Sequence, residues 1–117
     1  MRSDRARLLD ILDAIADIAR HLPSDRGAFE ASELAQVWCV HRLQIIGEAA
    51  RGLSEAFRGR HPEVPWRAIV GMRNQLMHGY FDVDPDIVWV AVSERVPALR
   101  LQVQAALQTD PEVRDPD

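Results

Sequence analysis

The apolar positions of the chain recur with a helical period along most of its length. Between residues 4 and 22 they lie three and four positions apart, which is the pattern of an amphipathic helix. Ser3 or Asp4 is suited to cap its start, and the polar, proline- and glycine-containing segment 23–27 ends it. No segment shows the strict alternation of a half-buried strand, so the pattern predicts an all-α chain.

A second, longer helix is predicted over residues 28–53. Its apolar side is predicted to contain Leu34, Val37, Trp38, His41, Ile45, Ala49 and Leu53. Gly47 lies in its interior, where glycine costs about 1 kcal/mol relative to alanine. A close approach by another helix would offset that cost.

Two more helices follow a connector at 54–65. The third is predicted to begin near Pro65 and to stop at Gly79, a residue type favoured just past a helix end. The fourth begins after the acidic segment 82–86, and Pro97 inside it predicts a kink. Its predicted core positions are Ile87, Val88, Val90, Ala91, Val96, Leu99, Val103 and Leu107.

These elements predict an antiparallel four-helix bundle over residues 1–108, followed by an acidic, flexible tail at 109–117. The apolar runs are too short and too often interrupted by charge to span a membrane. The N-terminal residues lead into an amphipathic pattern rather than the apolar block of a signal peptide, so we expect a cytoplasmic protein. The single cysteine, Cys39, sits in an apolar stretch and is predicted to be a core residue.

The charge of the chain is unevenly distributed. A net charge of −4 argues against general nucleic-acid binding, but residues 51–80 contain five arginines and two acids. Such a basic patch can bind phosphate weakly and in a salt-sensitive way. Arg58, Arg60 and Arg67 are candidates for RNA contact, although exposed arginines before a helix are common.

The candidate chemistry is concentrated in residues 71–80. Arg73 supplies a permanently charged, forked phosphate clamp, and His78 can exchange a proton near neutral pH. Asn74 and His78 are helical neighbours, whereas Arg73 and His78 share a face only loosely. Two copies of this helix facing each other across a dimer axis would form a tighter cluster, so the spacing predicts a homodimer.

The sequence lacks the motifs typical of metal and cofactor sites. The Cys and His spacing does not fit a zinc site, and the aspartates of 82–86 lack the glycine and distal glutamate of a calcium loop. No paired carboxylates accompany the Arg/His motif, so cleavage of nucleic acid would proceed without metal or other cofactor. Glu48, within or beside an apolar stripe, is interpreted as the partner of a nearby arginine or as a supporting site residue.

The series Arg73-x4-His78-x-Tyr80 resembles the R-x4-H-x-Y signature of the HepT-like toxins in the HEPN superfamily of ribonucleases. The resemblance extends over roughly residues 5–105. It includes, in order, the stretches 46–49, 61–66, 71–74, 78–81 and 87–89.

The resemblance implies a HEPN-like homodimeric bundle in which paired Arg73 and His78 line a cleft at the dimer interface. It implies a metal-independent endoribonuclease that acts as the toxin of a type VII-like toxin–antitoxin pair. The implied antitoxin is a minimal nucleotidyltransferase that can modify Tyr80 with AMP, with possible higher assembly of the two proteins. Asn74 and Glu48 would support the two catalytic residues.

Two alternatives remain open from the sequence. In one, the chain is a helical dimerisation module and the Arg/His/Tyr cluster is structural. In the other, it is a non-catalytic helical dimer that serves as binding partner and substrate of a minimal nucleotidyltransferase. Only the ribonuclease hypothesis predicts that His78→Ala abolishes an activity while folding persists.

Overall fold

The computed structural model of the protein describes residues 2–78 and 84–114, and of residues 77 and 78 it describes the backbone only. Within these residues the chain is all-helical, without a β-strand, as predicted. The elements are α1 (Asp4–His21), α2 (Arg26–Glu30), α3 (Glu33–Arg51), α4 (Glu55–Arg60), α5 (Trp66–His78), α6 (Pro85–Val90), a π-helical turn (Ala91–Arg95) and α7 (Val96–Thr109).

Helix α1 follows the prediction closely. The Ser3 side chain caps it by accepting a hydrogen bond from the Ala6 amide at 3.1 Å. Its apolar stripe packs against α3 and α7. The buried residues of this stripe are Leu8, Ile11, Ala14, Ile15 and Ile18.

The predicted helix at 28–53 is wrong at its start. Residues 26–30 form the separate helix α2, and α3 begins only at Glu33 because the Ser32 side chain caps it, accepting from the Ala35 amide at 3.1 Å. An independent cap at Asp25 starts α2. The chain therefore turns between two short-range capping signals instead of continuing as one helix.

The predicted apolar side of this helix is also partly wrong. Leu34 is 80% exposed and Val37 is 50% exposed, and His41 is exposed as well. Helix α3 packs against α1, α2, α5 and α6, so it has apolar residues on several faces. The pattern alone therefore does not indicate which of its apolar residues are buried. It buries instead Ala35, Cys39, Val40, Leu43, Ile46, Gly47, Ala49 and Ala50.

The connector at 54–65 contains the short helix α4, which is capped by Ser54 and buries Phe57 completely. Helix α5 begins at Trp66, as predicted, and packs along α3. The predicted stop at Gly79 lies outside the described residues.

The predicted fourth helix is continuous in space but changes its helical type. The Val96 amide bonds to the Ala91 carbonyl, five residues back, and Pro97 occupies the first turn of α7 immediately afterwards. The wider turn accommodates a residue that lacks an amide hydrogen. Ile87 was predicted to lie in the core, but it is 55% exposed, whereas its neighbour Val88 is 1% exposed.

The residues after α7 fold back on the body. Asp110 and Val113 are buried, and Arg5 donates a hydrogen bond to the Val113 carbonyl at 2.9 Å. The division into a domain at 1–108 and a flexible tail stays a prediction. None of the helices in the described part of the chain has the length and apolar content needed to cross a membrane.

Candidate functional site

The candidate site lies where α5 crosses α3. At this crossing Gly47 faces Arg73 so closely that a β-carbon on Gly47 would overlap Cβ and Cγ of Arg73 and lie 3.3 Å from its Cα. The helix-interior glycine therefore has the role expected from the sequence, which is to permit a close helix approach. The contact fixes the base of the Arg73 side chain against the backbone of α3.

The end of the Arg73 side chain is held by two polar neighbours. Its Nη2 forms an ion pair with Oε2 of Glu48 at 2.9 Å, and its Nη1 donates a hydrogen bond to Oδ1 of Asn74 at 3.0 Å. The Arg73 side chain is only 17% exposed, whereas that of Glu48 is 56% exposed. A guanidinium has five N–H donors, so these contacts orient it without exhausting its capacity to bind an anion.

The other two signature residues are only partly placed. His78 is the last residue of α5, and its backbone follows Asn74 by one helical turn. The His78 side chain and the whole of Tyr80 lie outside the described residues. The structure therefore brings Arg73, Asn74 and Glu48 together and does not test the positions of the imidazole and the phenol.

The three candidate RNA-binding arginines divide into two groups. Arg58 and Arg67 line one surface depression of about 600 Å³ between α4 and α5, together with Gly59, Gly71 and Asn74. We call this depression the α4–α5 groove. Arg60 does not line it. Instead, Arg60 Nε donates to Asp110 Oδ2 at 3.1 Å.

Sequence reasoning missed the cluster that anchors the start of α5. His61 Nε2 donates to Asp110 Oδ2 at 2.6 Å, and the His61 carbonyl accepts from Trp66 Nε1 at 3.0 Å. The His61 ring also packs on Phe57, with ring centroids 4.5 Å apart. Within the sequence, the segment 61–66 shows a histidine beside apolar residues, which indicates a packed connector. Its acidic partner could not be predicted, because Asp110 lies almost fifty residues away.

Asp110 is ionised deep in this cluster. Burial alone would raise the pKa of its carboxyl, but hydrogen bonds from His61, the Glu112 amide and Arg60 outweigh burial and lower that pKa to about 2. The cluster therefore ties together α4, the connector and the turn after α7. It fixes the point at which α5 departs towards Arg73.

One further chemical candidate, the thiol of Cys39, is accounted for by packing. Cys39 is 0% exposed, and burial raises the pKa of its thiol to about 11, so it stays protonated at neutral pH. Over residues 2–78 and 84–114, no group of three or more His, Cys, Asp or Glu side chains is arranged to hold a metal ion.

Comparison with known proteins decides the family. The model of the family described as "Ribonuclease HepT-like" matches residues 11–106. The chain belongs to the HepT-like ribonuclease family. The match includes the α3–α5 crossing, the α4–α5 groove and the anchoring segment 61–66, so the geometry described above is that of a HepT-like protein.

Curated relatives support the same assignment. "Putative RNase MJ1380" of Methanocaldococcus jannaschii is 36% identical over 104 residues, which cover 88% of this chain and 95% of the relative. "Probable ribonuclease HepT" of Thermococcus cleftensis is 35% identical over 102 residues, which cover 85% of this chain and 91% of the relative. No solved structure matches this HepT-like chain.

Proposed function

We propose that this HepT-like chain is an endoribonuclease that cleaves RNA without metal, through Arg73 and His78. The observation that carries the proposal is the restrained Arg73 guanidinium, held between Glu48 and Asn74 one turn before His78. Membership of a family described as ribonucleases supports the choice of RNA as the substrate.

The arrangement suits attack of an RNA 2′-OH on the adjacent phosphate. His78 removes the 2′-OH proton as the 2′-oxygen bonds to phosphorus, the 5′-oxygen leaves, and an acid returns a proton to it. General acid–base catalysis of this kind contributes roughly 10² to 10⁴ in rate. Arg73 stabilises the charge on the phosphoryl oxygens, because a pre-oriented cation needs no reorganisation during the reaction. The first products are a 2′,3′-cyclic phosphate and a 5′-OH.

The complementary acid is proposed to be His78 of a second copy. A composite site of this kind requires a homodimer, built from HEPN-like four-helix bundles with the two α5 helices near the dimer axis. Arg73 and His78 share a face of one helix only loosely, which supports this arrangement. Two copies that face each other would form a tighter cluster of two arginines and two histidines. Asn74 orients the imidazole or contacts the phosphate, and Glu48 positions Arg73.

We further propose that the protein is the toxin of a toxin–antitoxin pair whose antitoxin is a minimal nucleotidyltransferase. Transfer of AMP to Tyr80 would place bulk and negative charge two residues from His78. Such a modification would exclude RNA by steric overlap and by charge repulsion. The resemblance of residues 73–80 to the R-x4-H-x-Y signature supports this part of the proposal.

The experiment that tests the nuclease proposal is cleavage of total RNA in EDTA by three purified proteins. These are the wild type, His78→Ala, and the control His41→Ala, which removes an exposed histidine from α3. Light scattering and circular dichroism establish that all three are dimeric and folded. We expect cleavage by wild type and His41→Ala, with 2′,3′-cyclic phosphate ends, and none by His78→Ala.

Three outcomes would contradict the proposal in whole or in part. Cleavage by His78→Ala at the wild-type rate would remove His78 from the chemistry. Failure of a folded wild type to cleave, when mass spectrometry finds Tyr80 unmodified, would favour the non-catalytic partner of a nucleotidyltransferase. Cleavage that is lost in EDTA and restored by Mg²⁺ would overturn the metal-independent mechanism alone.

A further inference from the structure

The α4–α5 groove leads directly to the candidate site. Arg58 and Gly59 form its α4 wall, and Arg67, Gly71 and Asn74 form its α5 wall. Asn74 also accepts the hydrogen bond from Arg73 Nη1, so the end of the groove is in contact with the proposed phosphate clamp.

The α5 wall of the groove is a single helix face. Positions 67, 71 and 74 are four and three residues apart, which places them one above the other along the helix. They span about 10 Å of the axis at 1.5 Å per residue. Position 78 is the next member of the same series, so the groove runs along α5 towards the end that carries His78.

The positive charge of the groove is available to a ligand. Neither Arg58 nor Arg67 forms an ion pair or a side-chain hydrogen bond with any other described residue, whereas Arg60 and Arg73 are both paired with acids. Among the residues that the structure describes, Glu55 is the one acid that lines the groove. Two guanidinium groups against this one carboxylate leave the described part of the groove positive on a chain whose net charge is −4.

Two glycines, Gly59 and Gly71, leave the walls of the groove without side chains at their positions. A β-carbon on Gly59 or Gly71 would meet no described atom within 4 Å. Each glycine lies within a helix, where it is unfavourable relative to alanine. At Gly47 the neighbouring helix explains such a residue, but at Gly59 and Gly71 no described residue comes close enough to do so. Missing side chains on an open basic surface suit a ligand that lies close to the helix backbone.

We propose that the α4–α5 groove binds the RNA backbone beside the cleaved bond, with Arg58 and Arg67 contacting phosphates other than the one held by Arg73. The inference rests on the proposed function and extends it from a catalytic pair to a substrate track. Contacts to phosphate position the strand without reading its sequence. The groove therefore contributes to affinity and register, whereas the choice of bases is made elsewhere.

The test separates binding from catalysis. RNA affinity is measured by anisotropy of a labelled single-stranded 20-mer in the His78→Ala background, alone and combined with Arg58→Gln/Arg67→Gln. The matched control combines it with Arg100→Gln, which removes an exposed arginine from α7, away from the groove. We expect roughly tenfold weaker binding for the groove variant at about 0.1 M salt. We also expect the slope of log affinity against log salt to be shallower by about 1.4 for the groove variant. The Arg100→Gln control should keep both the affinity and the slope of the His78→Ala background.

A cleavage assay with two substrates completes the test. In the catalytically intact protein, Arg58→Gln/Arg67→Gln should raise KM for the 20-mer roughly tenfold and leave kcat unchanged. A dinucleoside monophosphate has only the cleaved phosphate, so its cleavage should be equal for the wild type and the groove variant.

The outcomes distinguish the two proposals. If the wild type cleaves RNA but the groove variant binds and cleaves the 20-mer as well as Arg100→Gln does, only the proposed role of the groove is overturned. Wild type that neither binds nor cleaves RNA overturns the proposed function. A groove variant that becomes monomeric in light scattering overturns the RNA assignment, because the groove would then be covered by a second copy.

Discussion

The backbone of α3 at Gly47 touches the side chain of Arg73, and the contact leaves no room for a β-carbon. Gly47→Ala must therefore push α5 away from α3 or displace the base of Arg73. We expect it to lower the free energy of unfolding by roughly 1–3 kcal/mol, the usual cost of overpacking. Urea unfolding measures the loss, and cleavage of RNA by the folded fraction should fall as well.

Gly71→Ala is the matched control and should have the opposite sign. A β-carbon at Gly71 meets no described atom within 4 Å, and the residue lies inside α5. We expect the free energy of unfolding to rise by roughly 0.5–1 kcal/mol, because alanine is the better helix former. Equal destabilisation by the two substitutions would show that the Gly47–Arg73 contact is not specific.

Arg73→Lys tests whether the forked shape of the guanidinium is needed in addition to its charge. A lysine ammonium retains the charge but cannot contact Glu48, Asn74 and a phosphate in the same fixed geometry. We expect kcat to fall by roughly 10² or more, with little change in the melting temperature. If Arg73→Lys retained the wild-type kcat, only the positive charge at position 73 would be needed, and not the forked shape of the guanidinium.

Glu48 is predicted to position Arg73, so its conservative and drastic variants should differ. In Glu48→Gln the ion pair is lost, but the amide oxygen can still lie against the Arg73 guanidinium and accept from it, and we expect kcat to remain within about tenfold of wild type. Glu48→Ala leaves the guanidinium held by Asn74 alone and should lower kcat further. Steady-state cleavage of a defined RNA measures both, and an Ala variant as active as the Gln variant would contradict the positioning role.

Asp110 makes the stability of the fold depend on acid pH. Its pKa in the folded protein is about 2, below the usual 3.8, so its contribution is complete above pH 4 and is lost as the pH falls through 2. We expect Asp110→Asn to cost about 2 kcal/mol at pH 7, because it weakens a buried charged hydrogen bond to His61. Unfolding measured from pH 7 to pH 2 should show the two proteins converging, and a gap that widens towards low pH would be inconsistent with this explanation.

Cys39 should be inert in the native protein. Its thiol is fully buried, and its pKa of about 11 leaves little thiolate at neutral pH. We expect mass spectrometry to find no alkylation by iodoacetamide at pH 7.5 until urea unfolds the chain. Rapid alkylation of the folded protein would show that the region around Cys39 opens readily.

The sequence was sufficient for the elements that depend on local signals. The Ser3 cap, most of the α1 stripe and the start of α5 at Trp66 are decided by neighbouring residues and were predicted correctly, although Leu9 of the stripe is 39% exposed. Helix α3 was harder, because it is packed on several sides and Leu34 and Cys39 are equally apolar in a pattern. The burial of Cys39 was predicted correctly, but only the tertiary structure shows that Leu34 is exposed.

The candidate site shows the same division. The residue types in 73–80 indicated phosphate chemistry, but the contacts of Arg73 with Gly47 and Glu48 join positions about 25 residues apart on two helices. The His61–Asp110 pair joins positions even more distant. Spacing along one helix cannot predict such pairs, since they depend on how two helices cross.

The π-helical turn at Ala91–Arg95 contains, in effect, one residue more than an α-helix would need there. Deleting one residue from this turn would therefore leave a continuous α-helix in which α6 keeps its present face. If the same residues were wound as an α-helix without a deletion, α6 would rotate by about 100° relative to α7. Trp89, at present only partly buried, would then take the inward position that Val88 fills in the core. The wider turn thus absorbs one residue and keeps α6 in register with the core.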